Sequence, residues 1–224
     1  MRDFDIRDNI LYAYNGIETK VVIPAEVEAI ELEAFNNNTN IEEISLEAGS
    51  KLEWIGARAF KDCTRLTDVN LSNTKTLHKI AVMAFSGCKS LRRFFFSEDT
   101  DGKAVDIGMY AFAHTGLLKI IIPDGCTRLR DFTFKGCKDL LSITFGPDMN
   151  FIHPTAFEYC SGLLGVKFAS DSQIKLLNNV KATFDDCSDL LFFTFETFGL
   201  YKNKYGKWQK GKVEDGKFID AKLD

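Results

Sequence analysis

A chain of 224 residues with 45% hydrophobic content is long enough to bury one core, either compact or elongated. Its formal net charge of −4 gives no electrostatic reason to expect nucleic acid, and no apolar run approaches the roughly 20 residues of a membrane helix. Twenty phenylalanines against two tryptophans and six tyrosines is a skewed set, as if one slot in the fold keeps asking for the same side chain.

At the N-terminus, Met1–Gly16 carries acids where a signal peptide would need an apolar stretch. The chain as written is therefore expected in the cytoplasm, or at the cell surface or secreted if an export signal was removed. Residues 1–28 read as a capping segment and residues 29–196 as repeats. The segment from Ile55 to Leu71, IGARAFKDCTRLTDVNL, recurs in altered form with an anchor at Phe35, Phe60, Phe85, Phe112, Phe134, Phe157 and Phe184. Those seven anchors stand 25, 25, 27, 22, 23 and 27 residues apart. A small residue precedes each one, Ala or Thr, and an aliphatic stands five positions before it in the first six copies. In the seventh copy that slot slips, with Asn179 there and Val180 beside it. The fourth copy reaches its next leucine, Leu117, one residue early through AHTGL.

Each copy closes on an alternating apolar pair: Ile44/Leu46, Val69/Leu71, Phe94/Phe96, Ile120/Ile122, Ile143/Phe145, Val166/Phe168 and Phe193/Phe195. Alternation of β-branched and aromatic residues predicts one short strand per copy. Stacked copies would pair those strands in parallel around a shared apolar interior, the geometry of repeats 20–29 residues long. The fold class is therefore α/β: a curved leucine-rich-repeat solenoid, with one parallel strand per coil and short helical turns or loops on the other side.

The pattern I-G-x-x-A-F-x-x-C-x-x-L-x-x-V-x-L resembles the BspA-type leucine-rich repeats of bacterial and protist proteins. Val21–Phe35, VVIPAEVEAIELEAF, is similar to that family's I-P-x-x-V-x-x-I-x-x-x-A-F phrase, and Asn9–Gly16 resembles its strand-and-turn lead-in. The likeness runs over residues 4 to 196. It implies a curved solenoid used for binding, often on cell surfaces.

Five of the six cysteines, Cys63, Cys88, Cys137, Cys160 and Cys187, stand three residues after an anchor, and Cys126 fills an apolar slot. They read as small buried hydrophobes, since their spacing lacks the short paired offsets of zinc sites. His78, His114 and His153 fall in different coils at different slots, so no base–nucleophile pair is expected and no catalytic residue is assigned. The run from Glu98 to Lys103, EDTDGK, fails as a calcium loop because Gly108 stands where the bidentate glutamate belongs, and reads as a solvated insertion. No cofactor or metal is expected. Residues 197–224 are a basic tail; from Gly199 on it holds seven lysines and four acids. Turn-prone glycines between its aromatics suggest a hairpin over the last coil, with a disordered tail as the alternative.

If the alternating pairs point inward, the residues between them face out on the concave side. Those positions run Glu43/Ser45, Asp68/Asn70, Arg93/Phe95, Lys119/Ile121, Ser142/Thr144, Gly165/Lys167 and Phe192/Thr194. Arg93, Phe95, Lys119 and Ile121 form an apolar pair flanked by cations, the composition of an interface hot spot, with Phe192 and Thr194 near the far end. Cross-strand Phe–Ile pairs also stabilise sheets without any partner. The expected function is a non-enzymatic module binding a protein on its concave face. A surface adhesin or glycan-binding fragment and a structural spacer are the alternatives.

Overall fold

The computed structural model describes residues 3–179, 183–215, 217 and 218. An antiparallel hairpin, β1 (Phe4–Arg7) and β2 (Ile10–Tyr14), opens the chain. Longer and two-residue strands then alternate: β3 (Lys20–Ile23), β4 (Ala29–Ile30), β5 (Glu43–Leu46), β6 (Trp54–Ile55), β7 (Asp68–Asn70), β8 (Lys79–Ile80), β9 (Arg93–Phe95) and β10 (Asp106–Ile107). The alternation continues through β11 (Lys119–Ile122), β12 (Arg128–Leu129), β13 (Ser142–Phe145), β14 (Phe151–Ile152), β15 (Gly165–Phe168) and β16 (Phe192–Thr194). Finally β17 (Phe198–Lys202), β18 (Trp208–Glu214) and β19 (Lys217–Phe218) fold back and forth antiparallel.

The result is a strand-rich, curved solenoid with two walls. Two-residue strands from successive coils pair in parallel, β4-β6-β8-β10-β12-β14, and the hairpin strands β2 and β1 complete an eight-stranded sheet at the β4 edge. On the opposite wall the longer strands form a four-stranded sheet, β3-β5-β7-β9, and a seven-stranded one beginning β11-β13-β15-β16. Helix is confined, among the described residues, to a 3-10 segment at Asp171–Asn179 and to Thr183 and Phe184. That segment stands where the other coils carry a two-residue strand. Val180, the aliphatic beside the slipped slot, lies outside the described residues.

The interior is one continuous core. All seven anchors are buried, and their rings stack from coil to coil at centroid distances of 4.6 Å (Phe35–Phe60), 5.0 Å (Phe60–Phe85), 5.5 Å (Phe85–Phe112), 5.4 Å (Phe112–Phe134), 5.5 Å (Phe134–Phe157) and 5.2 Å (Phe157–Phe184). Tyr14 of β2 starts the stack 5.3 Å from Phe35, so the hairpin supplies a ring as well as a cover. Offset ring pairs add about 0.5–1.5 kcal/mol each beyond the area they bury.

Hydrogen bonds explain two other repeated positions. The amides of the first five anchors donate to the carbonyl of the small residue before the next anchor, as Phe35 N does to Ala59 O (2.7 Å) and Phe60 N to Ala84 O (2.8 Å). Each ladder cysteine donates its thiol to the previous copy's anchor carbonyl: Cys63 to Phe35, Cys88 to Phe60, Cys137 to Phe112, Cys160 to Phe134 and Cys187 to Phe157. Each of these carbonyls also accepts a bond from within its own turn, as Phe60 O does from Cys63 N (3.2 Å), so the thiol answers the second lone pair and ties one coil to the next as well as filling space. All six cysteines are free and buried.

Turns carry the rest of the coil. In the first five copies the residues two before and two after the anchor sit at positive φ, as do Glu33 and Asn37 in the first, Arg58 and Asp62 in the second and Tyr110 and His114 in the fourth. The later slot is filled in the first six copies by Asn37, Asp62, Gly87, His114, Gly136 and Tyr159, mostly types that tolerate the left-handed region.

Candidate functional site

The strand face is built by the longer strands, whose alternation turns every second residue outward. β3, β5, β7 and β9 are in register, so Glu43, Asp68 and Arg93 form one row, and Ser45, Asn70 and Phe95 the next. β11, β13, β15 and β16 extend the same rows through Lys119 and Ile121 to Phe192 and Thr194.

Between those two sheets lies a seam. β9 closes one sheet and β11 opens the other, with no ladder between them. Their start is still tied, by Leu118 N to Arg92 O (3.3 Å) and by the Arg92 guanidinium to Gly116 O (2.7 Å). Beyond that point they separate. Parallel alternation directs the backbone groups of Phe94 on one side, and of Lys119 and Ile121 on the other, across the gap. Two sequence irregularities meet here: the insertion after Phe96 and the coil that arrives one residue early. The shortened turn leaves no room at Gly116, where a Cβ would lie 2.3 Å from Lys89 O. The same coil has Thr115 in the cysteine slot, and Thr115 turns its hydroxyl to its own copy's anchor, Phe112 O (2.9 Å). Among the described residues no side chain donates to the Phe85 carbonyl, so the third and fourth coils also lack the thiol link.

A cleft of about 570 Å³ occupies the seam, walled by Phe94, Phe95, Phe96, Leu118, Ile120, Ile121, Ile122 and Leu141. That volume falls in the range of ligand-sized cavities. Phe95 and Ile121 stand 50% and 68% exposed at its mouth. Phe96 departs from its expected inward position: β9 ends at Phe95, and the Phe96 ring is half-buried against Phe94, 4.8 Å away. Phe94 itself is buried edge-on between Phe85 (5.1 Å) and Phe112 (4.9 Å). A second groove of about 620 Å³ continues from Ile121 past Thr144 and Lys167 to Glu196 and Asp215.

Charge at the cleft is uneven. Arg93 is paired with Asp68, and Arg92 with Asp139. The hydrogen bond and charge of Asp68 raise the Arg93 guanidinium's pKa. Burial pushes the Asp68 carboxyl upward, but hydrogen bonds from Arg93 and Thr67 outweigh it and leave it below the usual range. Lys119 has no ion pair among the described residues, and neither do Glu98 and Asp124 at the loop end of the cleft.

Of the six expected contact residues, the structure gathers Arg93, Phe95, Lys119 and Ile121 at this cleft. Phe192 and Thr194 are elsewhere and covered. Thr194 is 4% exposed, because β17 pairs beside it (Thr194 with Gly199) and the returning β19 brings Phe218 over that strand. The Phe218 ring lies 6.5 Å from Phe192 and 5.3 Å from Tyr201, and a Cβ on Gly199 would meet it at 2.3 Å. Periodicity missed Leu118 and Leu141, which follow their copies' buried leucines and flank the cleft. The doubled Leu-Leu spelling at 117–118 and 140–141 was the available signal. The three histidines stay apart; His153 bonds Thr155 (2.9 Å) and faces Asp131 (3.3 Å). Among the described residues no helix is long and apolar enough to cross a membrane.

This geometry, a stacked-coil solenoid presenting a parallel strand face, defines a leucine-rich-repeat protein. Residues 5–102 and 105–203 match the BspA type leucine rich repeat region in six copies, and the chain belongs to that family. Among solved structures it is similar to the leucine rich repeat protein of T. pallidum, at 21% identity and a TM-score of 0.53, over 83% of this chain and 72% of that one. It is also similar to the pneumococcal vaccine antigen PcpA, at 18% identity and a TM-score of 0.64, over 84% of this chain and 44% of that one. The chain thus spans less than half of the pneumococcal protein. These likenesses define the fold. No curated protein matches the sequence.

Proposed function

We propose that the chain is a recognition module without catalytic chemistry, holding a protein partner on its strand face at the seam between β9 and β11. The observation that carries this reading is the cleft, where two adjoining strands part and leave Phe95 and Ile121 as its open apolar lips. Large apolar side chains left this exposed are the type from which interface anchors are built. Phe192 takes no part, because the chain's own Phe218 already lies against it.

The test compares immobilised wild-type protein with Phe95→Ser and Val22→Ser, each exposed to extract from the source organism or its surroundings, with bound proteins quantified by mass spectrometry. Val22 is a solvent-facing strand residue remote from the seam. A partner retained by wild type and by Val22→Ser should be depleted by about tenfold or more on Phe95→Ser, the loss of an interface anchor. Equal capture by all three proteins would refute the reading.

A further inference from the structure

From the charge arrangement at the seam we infer that the cleft accepts an extended peptide segment of ordered charge: an acid at one end, a bulky apolar side chain in the middle, and a cation at the other end. The inference rests on the strand-face reading and adds the chemistry of the partner.

The cleft is polarised along the strands. At the end where β9 and β11 begin stand Arg92, Arg93 and Lys119; at the end where they exit stand Glu98 and Asp124. Each arginine already holds a carboxylate, Asp139 or Asp68, which leaves Lys119 as the cation whose charge the described residues do not answer. Glu98 and Asp124 are likewise without a cation. Between the two ends the surface is apolar, with Ile121 the most exposed large side chain on it. A partner carrying the reverse order would answer both ends and cover the middle, whereas one of the opposite sense would set like charges together at each end. Lys119 and Asp124 stand five residues apart along one wall, so about five residues of an extended partner separate its acid from its cation. The chain itself gives a precedent in kind: on the last coil, Phe218 of an extended strand is laid against Phe192 and Tyr201 of the same face.

Random heptapeptides displayed on phage, selected against the immobilised full chain, test this. Enriched sequences should carry Asp or Glu on one side of Phe, Leu, Ile or Trp, and Lys or Arg on the other. The best synthetic peptide should lose about tenfold or more in affinity to Ile121→Ser and to Lys119→Glu, with Val22→Ser unchanged. Selection against the Lys119→Glu protein should then replace the acid with a cation. All variants are first shown to keep the wild-type circular dichroism and thermal midpoint. Peptides that are apolar without charge order, or that bind Lys119→Glu as tightly as wild type, would overturn the inference and leave strand-face recognition standing. Peptides indifferent to Ile121→Ser would overturn both.

Discussion

Three separate interactions recur along the anchor phenylalanines: ring stacking, a hydrogen bond from the anchor amide to the next coil and a thiol on the anchor carbonyl. Phe94 bears on two of those rings at once, edge-on to Phe85 and Phe112, at the one junction where the thiol link is missing. Phe94→Ala is expected to cost about 3–5 kcal/mol, measured by urea unfolding, and to leave Phe95 and Ile121 in place. The cysteines give a second expectation. Burial pushes the Cys126 thiol up to about 12, and burial with the nearby Asp186 does the same for Cys187. A thiol whose folded pKa lies above its unfolded value contributes stability fully below the unfolded value, near 8.5, and loses it as pH rises towards 12. Unfolding free energy should therefore be level in this respect up to about pH 8 and fall above it, and Cys126→Ala should flatten the fall. The same burial keeps native thiols from reacting with an aromatic disulfide reagent at pH 8, whereas all six react in denaturant.

Strands show where periodicity was a sufficient guide and where it was not. Inward pairs such as Val69/Leu71 and Ile143/Phe145 could be placed from spelling alone, because alternation has one solution when one face is buried. Phe96 obeyed the same spelling and came out half-buried, since β9 stops one residue before it. Spacing marked the place, with a 27-residue interval and the short AHTGL turn, yet spacing does not say that neighbouring strands lose their ladder. Amide exchange reports this directly: the Phe94 amide should exchange faster than those of Val69 and Ile143, whose strands are paired on both sides. The C-terminal strands teach a similar lesson. Gly-Lys spacing suggested a hairpin, but only register decides that Phe218 returns over Gly199 and that Trp208 lies 5.0 Å from Phe193 at the end of the core. Phe218→Ser should uncover Phe192 at a cost of about 1 kcal/mol, seen as a modest drop in thermal midpoint.

Taken as a whole, the chain is a solenoid whose two walls differ in continuity. Its repeat could be read from the seven anchors because each copy leans on the next and repeats the same demand for a ring, a small residue and a thiol. Less legible was everything that happens once: Tyr14 heading the stack, the 3-10 segment of the seventh coil, and the charges around the seam. One wall runs unbroken from β1 to β14 while the other is parted between β9 and β11. Such a body is a book with a sound spine and one loosened page edge. Its easiest bend turns about the spine and fans open or shut the loosened edge, so the curl of the whole arc is set at a single joint. Whatever wedges that joint fixes the angle between the first three coils and the last four.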